Sequence, residues 1–334
     1  MKKYNYNYLY LILIFASMTV WILGDKGIIT TYYIQIFILI CINIILTTSL
    51  NLINGFCGQL SIGHAGFMAI GAYSASLFTT IIPKAYLYSF SNLNPISQWA
   101  IFLLSLVIAG FMAGLVAYFI GLPLLRLRGD YLAIGTLAFG EVIRGVAKLS
   151  DEIGTFFNDI GLKNLGELII GINGPRGLGG IPHLTNIFWV VSLTIIIIFI
   201  IDRLVHSSYG RAWVSIREDE ISAEMMGINT ARYKLLAFSL AGFFAGIGGG
   251  LYAHILMFIH PDNFCFIKSV EYLVYLYLGG MSSILGSVIS AAGITFLLEF
   301  MRIIGFQEWR LVIYPLILII LMLTKPEGFF KKDL

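Results

Sequence analysis

Long apolar runs limit what this chain can fold into. Residues 28–53 and 235–258 each reach the roughly 20 apolar positions that a helix needs to cross the hydrocarbon core of a bilayer. Of the 334 residues, 58% are hydrophobic and only 12% are charged, whereas a soluble domain is about 45–50% apolar. The sequence therefore predicts an all-α polytopic membrane protein.

The apolar pattern predicts about ten membrane elements, several of them broken or re-entrant. The first could imitate a secretory signal, but it lacks an A-x-A-like cleavage site and another span follows closely, so we expect it to be retained. Residues 1–334 are expected to form a single transmembrane domain. The predicted elements span residues 8–23, 28–53, 56–82, 98–121, 131–149, 186–202, 235–258, 269–281, 284–300 and 309–324.

The distribution of Lys and Arg predicts the orientation in the membrane. With the N terminus inside, twelve of them fall on the cytoplasmic side and seven on the outside. An N-in and C-in orientation is therefore predicted. It requires an even number of crossings, which favours a break around Gly279 and Gly280 over one long tilted helix across residues 269–300.

A second glycine-rich interruption lies in the first half, at residues 51–71. Glycine-interrupted segments in corresponding positions of two halves indicate an inverted repeat with a transport pathway between them. Close helix packing alone would also explain the glycines, as it would for Gly242, Gly246 and Gly250. The candidate pathway residues are Gly58, Gln59, Ser61, Gly63, His64, Glu141, Gly279 and Gly280.

Of the ionisable residues, His64, Glu141 and Arg144 are the best placed inside predicted spans, where an unpaired charge is costly. Glu141 and Arg144 are three residues apart and would share a helix face, so they form either a structural ion pair or a polar lining of the pathway. His64 lies among Gly and Ser residues and is either a pathway residue or a packed, hydrogen-bonded histidine.

The sequence contains no motif for catalysis or cofactor binding. It has no G-x-x-x-x-G-K-[ST] loop for ATP and no H-E-x-x-H metal motif, and Cys41, Cys57 and Cys265 have no metal-site spacing. No nucleophile elbow supports an intramembrane hydrolase that would use a serine near His64. We therefore expect a transport subunit that is not an enzyme and binds neither a cofactor nor nucleic acid.

A dense charged segment, residues 203–234, separates two apolar runs. A turn between membrane helices needs only a few residues, so an interruption this long indicates a docking surface for a partner in the water. Within it, Ile221, Met225 and Ile228 would share one face of a short helix, next to a polar face. An amphipathic helix resting on lipid headgroups is the alternative.

The ends of this short helix carry capping residues. Asp219 is a plausible N-cap, because its carboxylate can accept unpaired backbone N–H groups. Gly227 suits the left-handed position that ends a helix, and Asn229 and Thr230 can cap the next one. The sequence thus predicts a short helix lying across the cytoplasmic face.

Four ordered motifs resemble the permease subunits of branched-chain amino acid ABC importers, the LivM-type more than the LivH-type. Residues 210–229 carry G-R-A-W-V-S-I-R-E-D-E-I-S-A-E-M-M-G-I-N, and residues 63–73 carry G-H-A-G-F-M-A-I-G-A-Y. Residues 128–144 carry R-G-D-Y-L-A-I-G-T-L-A-F-G-E-V-I-R, and residues 174–178 carry G-P-R-G-L. The family commonly has Ala where this chain has Ser222 and Met225, so the helix here is bulkier.

The resemblance implies an assembly with defined partners. These are two cytosolic ABC ATPase subunits, a second LivH-type permease and an extracytoplasmic amino-acid-binding protein. The loop at residues 150–185 would receive that protein or merely cap the bundle. The coupling residues, which would enter a groove on the ATPase, are Arg217, Glu218, Asp219, Glu220, Ala223, Glu224 and Gly227.

Two points stay open at this stage. The resemblance implies ATP-driven uptake of branched-chain amino acids by alternating access, but no motif residue identifies the substrate, and urea or short-chain amides are alternatives. A proton-coupled secondary carrier that uses Glu141 and His64 is the competing hypothesis, although a lone carrier needs no docking helix.

Overall fold

The computed structural model describes residues 30–85, 94–127 and 129–303. It also describes residues 13, 18, 19, 305, 309, 312, 313, 316, 319, 320, 323, 324 and 328–330. The first and last predicted membrane elements (8–23 and 309–324), the basic C-terminal residues and Arg128 lie outside the continuously described parts.

The described residues are almost entirely helical. Within the described residues, five helices are long and apolar enough to cross a bilayer: Thr31–Phe56, Ile96–Leu124, Ile187–Val205, Thr230–Leu256 and Ile284–Ile303. The fold is that of an all-α polytopic membrane protein. The helices are α1 (Thr31–Asn51), α2 (His64–Ala85), α3 (Pro95–Leu124), α4 (Asp130–Lys148), α5 (Ser150–Asp159), α6 (Lys163–Ile170), α7 (Ile187–Val205), α8 (Ser208–Glu218), α9 (Glu220–Met225), α10 (Thr230–Leu256), α11 (Phe266–Gly279) and α12 (Ile284–Ile303).

The chain divides into two compact units. Among the described residues, the first unit contains residues 30–61, 186–241 and 270–303, and the second contains residues 62–185 and 242–269.

In the first unit, α1 is the central helix and packs against α7 and α12. Ile42, Ile45 and Leu46 of α1 are fully buried. Polar side chains tie α1 to α12, because Asn43 Nδ2 donates to Thr295 Oγ1 at 2.9 Å. A helix this apolar on all sides is expected at the centre of a bundle.

In the second unit, α2 packs against α3 and α4 through small residues. A Cβ atom at Gly71 would lie 2.2 Å from the backbone oxygen of Gly246 on α10, so these helices meet at their backbones. Close approach through small residues is the usual way in which membrane helices associate. The packing interpretation of Gly246 therefore fits this contact.

Two regions differ from the sequence-based expectation. The predicted element 56–82 begins only at His64, because residues 57–63 leave the helix after α1. The expected loop at residues 150–185 contains α5, α6 and the strand β1 (Leu178–Gly179), which pairs antiparallel with β2 (Phe258–Ile259). Gly161, at φ +93°, forms the turn between α5 and α6.

Candidate functional site

The first glycine-rich stretch breaks the helix in the first unit. α1 continues as one π-helical turn, Leu52–Phe56, and the chain then turns at Gly58 with φ +70°. Asn54 holds the following loop, since its Oδ1 accepts from the Ser61 N–H at 3.1 Å and its Nδ2 donates to the Ser61 carbonyl oxygen at 3.2 Å. A π-helical turn within an α-helix often marks a functional site.

The second break lies between α11 and α12. Gly280 adopts φ +96° and Ser282 adopts φ +64°, so the chain runs through two left-handed residues. Ser282 is not a glycine, and a left-handed conformation is strained for it. Gly279 and Gly286 approach so closely that a Cβ atom on either would lie within 2.4 Å of the other's carbonyl oxygen.

The two breaks contact each other through Asn51, the last residue of α1. Its Oδ1 accepts from the Ser282 N–H at 3.0 Å, and its Nδ2 donates to the Ser283 carbonyl oxygen at 3.1 Å and to Ser287 Oγ at 2.9 Å. The Ser282 hydroxyl donates to the Gly55 carbonyl oxygen at 2.7 Å. Side chains thus satisfy backbone groups that the breaks release, as buried polar groups require.

The place where the two helix breaks meet is called the junction below. Arg217, near the end of α8, reaches into it. Its Nη1 donates to the Gly55 carbonyl oxygen at 3.1 Å and also to the Ser282 hydroxyl. Its Nε and Nη2 donate to Glu218 Oε1 at 3.1 and 2.8 Å. The side chain is only 14% exposed. A Cβ atom at Gly58 would lie 2.7 Å from Arg217 Cγ, so glycine there makes room for the arginine.

A cavity of about 300 Å³ lies at this junction. Asn54, Arg217 and Ser282 contribute polar groups to its lining, while Leu60 and Met281 supply apolar surface. Its remaining lining residues are Gly55, Gly58 and Tyr277. The volume falls at the lower end of the range for small-molecule sites, about 300–1,000 Å³.

Two contacts inside the charged segment hold α8 and α9 against the start of α10. Trp213 is fully buried, and its Nε1 donates to the Tyr233 carbonyl oxygen at 2.9 Å. Lys234 Nζ pairs with Glu220 Oε1 at 2.7 Å, and the lysine side chain is only 3% exposed. Because a buried charge needs a partner, Glu220 serves the protein's own lysine.

Asp219 is the N-cap of helix α9, as predicted. Asp219 Oδ1 accepts from the backbone N–H groups of Ile221 at 2.9 Å and Ser222 at 3.1 Å, and Oδ2 accepts from the Ser222 hydroxyl at 2.9 Å. The hydrogen bonds from the Ser222 backbone and hydroxyl hold the pKa of the Asp219 carboxyl below its usual value. The helix ends at Gly227, whose φ of +83° matches the predicted left-handed stop.

The short helix presents apolar side chains to the surroundings. Ile221, Met225 and Met226 are 60%, 83% and 84% exposed. Among the predicted coupling residues, Glu224 is also exposed, whereas Ala223 is buried. The outermost surface of α9 is therefore more apolar than the predicted coupling residues suggest.

The remaining candidate pathway residues belong to the two units separately. In the first unit, Gln59 is half-buried and its Nε2 donates to the Cys57 carbonyl oxygen at 3.4 Å. In the second unit, His64 is fully buried at the start of α2. A Cβ atom at Gly63 would lie 2.2 Å from the Thr136 carbonyl oxygen, so Gly63 serves close packing against α4.

Glu141 and Arg144 form an ion pair in the second unit. Glu141 Oε2 accepts from Arg144 Nε at 2.7 Å, and Oε1 accepts from the Phe266 N–H at 3.1 Å. Arg144 Nη1 and Lys148 Nζ each lie 2.6 Å from Asp262 Oδ1. Hydrogen bonds from Lys148 and Arg144 lower the pKa of the Asp262 carboxyl. This arrangement fits the structural-pair interpretation of Glu141.

Sequence reasoning missed three side chains of the junction. The glycine pattern predicts interruptions that contain Asn51, Asn54 and Ser282 but assigns no role to these side chains. In the structure each one forms a hydrogen bond at a break. The available signal was an asparagine pair within an apolar run, since polar residues there are costly and usually paired. Arg217 was assigned to partner binding, but its side chain points into the junction.

Among the described residues, no three His, Cys, Asp or Glu side chains come together as metal ligands. The candidate site is therefore the polar junction with its cavity, together with the exposed helix α9.

Comparisons with known proteins identify the family. The model of the branched-chain amino acid transport system permease component matches residues 32–322. The high-affinity branched-chain amino acid transport system permease protein LivM of Escherichia coli is 33% identical over 313 residues, which cover 88% of this chain and 69% of LivM.

More distant relatives carry other names. The guanosine ABC transporter permease protein NupQ of Bacillus subtilis is 27% identical over 59% of each chain. The probable branched-chain amino acid transport permease protein LivH of Methanocaldococcus jannaschii is 26% identical over 68% of this chain and 73% of LivH. No solved structure matches. The chain belongs to the branched-chain amino acid transport system permease family, whose ABC permease members are transport components rather than catalysts.

Proposed function

We propose that this chain is the membrane-spanning permease subunit of an ATP-driven importer and that α9 docks on a cytosolic ABC ATPase. The exposed apolar surface of Ile221, Met225 and Met226 carries the proposal, because apolar patches on a rigid, capped helix typically mark protein interfaces. The helix-in-groove mode of recognition uses such a face.

The proposed assembly contains two cytosolic ATPase subunits, a second LivH-type permease and an extracytoplasmic amino-acid-binding protein. In this proposal the chain lies in the bacterial inner membrane with both termini inside, as one transmembrane domain of about ten membrane elements that form an inverted repeat. The charged segment, residues 203–234, then faces the cytoplasm, and residues 150–185 face the binding protein.

The proposed mechanism is alternating access driven by closure of the ATPases. Movement of α9 would rock the membrane elements between inward-open and outward-open states. The proposed pathway includes Gly58, Gln59, Ser61, Gly63, His64, Glu141, Gly279 and Gly280, of which Gly58 lines the cavity.

The proposed substrates are branched-chain amino acids. The name of the Escherichia coli LivM relative supports this class, and its 33% identity exceeds the 27% of the guanosine permease NupQ. The NupQ relationship makes nucleosides the second candidate class.

Purification of the tagged chain from its native membrane tests the assembly. We expect a P-loop ATPase and a second permease to co-purify, and expect ATP-dependent uptake of leucine, isoleucine or valine by the reconstituted complex. Uptake of guanosine but not of these amino acids would overturn the substrate assignment and leave the subunit assignment standing.

A surface variant tests the docking role of α9. Met225→Glu combined with Met226→Glu should abolish ATPase co-purification, because two charges replace an apolar contact surface. Phe156→Glu with Ile160→Glu is the matched control, since Phe156 on α5 and Ile160 just after it are 60% and 59% exposed. Unchanged ATPase recovery with the α9 variant would contradict the docking role.

A further inference from the structure

We propose that Arg217 is a positioning residue that connects the charged segment to both helix breaks. Movement of α8 and α9 would then release or re-form the contact between the breaks and reshape the cavity between them. This inference rests on the proposed function, since it supplies the internal end of the coupling that starts at α9. It also changes the role of Arg217, which sequence reasoning assigned to ATPase contact.

Three groups meet at the junction: the Gly55 carbonyl, the Arg217 guanidinium and the Ser282 hydroxyl. The Gly55 carbonyl oxygen accepts from both Arg217 and the Ser282 hydroxyl, and that hydroxyl accepts from Arg217. The three groups come from three distant parts of the chain, separated by 162, 65 and 227 residues. Displacing the guanidinium therefore removes a donor from both breaks at once.

Arg217 also lies beside the point where the helical path is interrupted between α8 and α9. α8 ends at Glu218, and Asp219 then adopts an extended conformation, φ −158° and ψ 111°, before α9 begins. Arg217 is the penultimate residue of α8, so a force on α9 reaches it across one non-helical residue. Trp213 anchors the same helix one turn earlier, through its hydrogen bond to Tyr233.

The Arg217 guanidinium binds groups on two sides, the exposed Glu218 carboxylate and the buried groups of the junction. Nε and Nη2 bind Glu218, which is 64% exposed, while Nη1 points inward. An exposed ion pair contributes little to stability in water. The partly buried inner contacts therefore dominate the position of the side chain. A lysine carries one compact ammonium and cannot reproduce this fork.

The backbone at Gly58 and Ser282 accommodates the Arg217 side chain. Gly58 leaves space where a Cβ atom would lie 2.7 Å from Arg217 Cγ. Ser282 holds a left-handed conformation, φ +64°, that places its hydroxyl between Gly55 and Arg217. Strained residues persist where the surrounding structure enforces them, and they cluster at switch regions.

The test uses Arg217→Lys and Ser282→Gly in the complete importer reconstituted in liposomes. Glycine suits the left-handed backbone of position 282 and removes only the hydroxyl. Each variant should lower the number of substrate molecules taken up per ATP hydrolysed by about tenfold, while subunit co-purification and ATP hydrolysis persist. A purely structural role would instead lower assembly and ATP hydrolysis together with uptake.

Arg211→Lys is the matched control, because Arg211 lies on the same helix and its exposed guanidinium donates to Ser208 Oγ at 3.0 Å. It should leave uptake per ATP unchanged. The double variant Arg217→Lys/Ser282→Gly should be no worse than the poorer single variant, since both changes break one contact.

Three results would overturn the inference: wild-type uptake per ATP in Arg217→Lys, wild-type uptake per ATP in Ser282→Gly, or losses that multiply in the double variant. If Arg217→Lys fails to assemble, Ser282→Gly decides alone. A wild-type complex without an ATPase would instead refute the proposed function, which is a separate result.

Discussion

Residues 51–71 form one glycine-rich run, but its two halves use glycine differently. In the first half, Gly58 adopts φ +70° where the chain leaves the helix, and Gly55 presents a carbonyl oxygen to Arg217. In the second half, Gly66 and Gly71 lie inside α2, where the absence of a Cβ atom lets another backbone approach.

The stability of the two halves therefore depends on different interactions. The broken half releases backbone groups that side chains must satisfy, so its stability depends on polar residues such as Asn51. The packed half keeps its helical hydrogen bonds, so its stability depends on space. Substitutions that change only steric space, only hydrogen bonding or only backbone conformation therefore test whether the two halves differ in this way.

The largest effect is expected for Gly71→Ala in the packed half. The new Cβ atom would lie 2.2 Å from the Gly246 carbonyl oxygen and 2.4 Å from its Cα, so two helix backbones must separate. We expect the free energy of unfolding to fall by about 3 kcal/mol, measured by thermal unfolding in detergent. Gly145→Ala is the control, because no atom lies within 4 Å of its Cβ position. Equal melting temperatures for both variants would contradict the packing role.

Asn51→Ala tests the broken half and should cost about 2 kcal/mol of stability. It removes three hydrogen bonds, to Ser282, Ser283 and Ser287, and leaves a buried N–H without its acceptor. Asn43→Ala on the same helix removes a single donor bond to Thr295 and should cost less. Urea unfolding of both variants in detergent provides the comparison, and a greater loss for Asn43→Ala would refute the role of Asn51.

Gly227→Ala isolates backbone conformation, because its Cβ atom would meet nothing within 4 Å while φ is +83°. We expect a local cost of about 1 kcal/mol, seen as faster hydrogen exchange in α9. Gly227→Asn should exchange more slowly than the alanine variant, since asparagine tolerates the left-handed region better. Identical exchange in all three proteins would show that the helix stop does not depend on φ.

The smallest effect concerns the Asp219 cap and pH. Because hydrogen bonds from Ser222 lower the pKa of this carboxyl in the folded protein, its stabilisation of α9 is complete above the ordinary pKa of an aspartate and is lost as the pH falls through the lower folded value. The Ile221 and Ser222 amides should therefore lose protection on acidification. Asp219→Asn corrects for the intrinsic pH dependence of exchange, because its amide oxygen does not titrate. Parallel pH profiles for the two proteins would contradict the cap assignment.

Local patterns in the sequence predict much of the architecture. Apolar run length places most of the membrane helices within a few residues, and spacing of three predicts the Glu141–Arg144 pair. Capping chemistry predicts the Asp219 start and the Gly227 stop of α9. Each of these features depends on residues that are neighbours in sequence.

The junction could not be predicted in the same way. Asn51 contacts Ser282 across 231 residues, and no local spacing encodes that pairing. The charged neighbours of Arg217 favour a role in partner binding, and no local pattern indicates its hydrogen bonds to Gly55 and Ser282, which are 162 and 65 residues away. The start of α2 was misplaced because residues 57–63 are mostly apolar or glycine, and such a composition does not distinguish helix from turn.

The central claim is that the charged segment couples an ATPase to this permease. The most direct measurement is uptake of radiolabelled leucine, with and without internal ATP, by liposomes that contain whatever co-purifies with the tagged wild-type chain or with the tagged Met225→Glu/Met226→Glu variant. We expect ATP-dependent uptake by the wild type and none by the variant. Uptake by this chain alone, without an ATPase and without ATP, would contradict the claim.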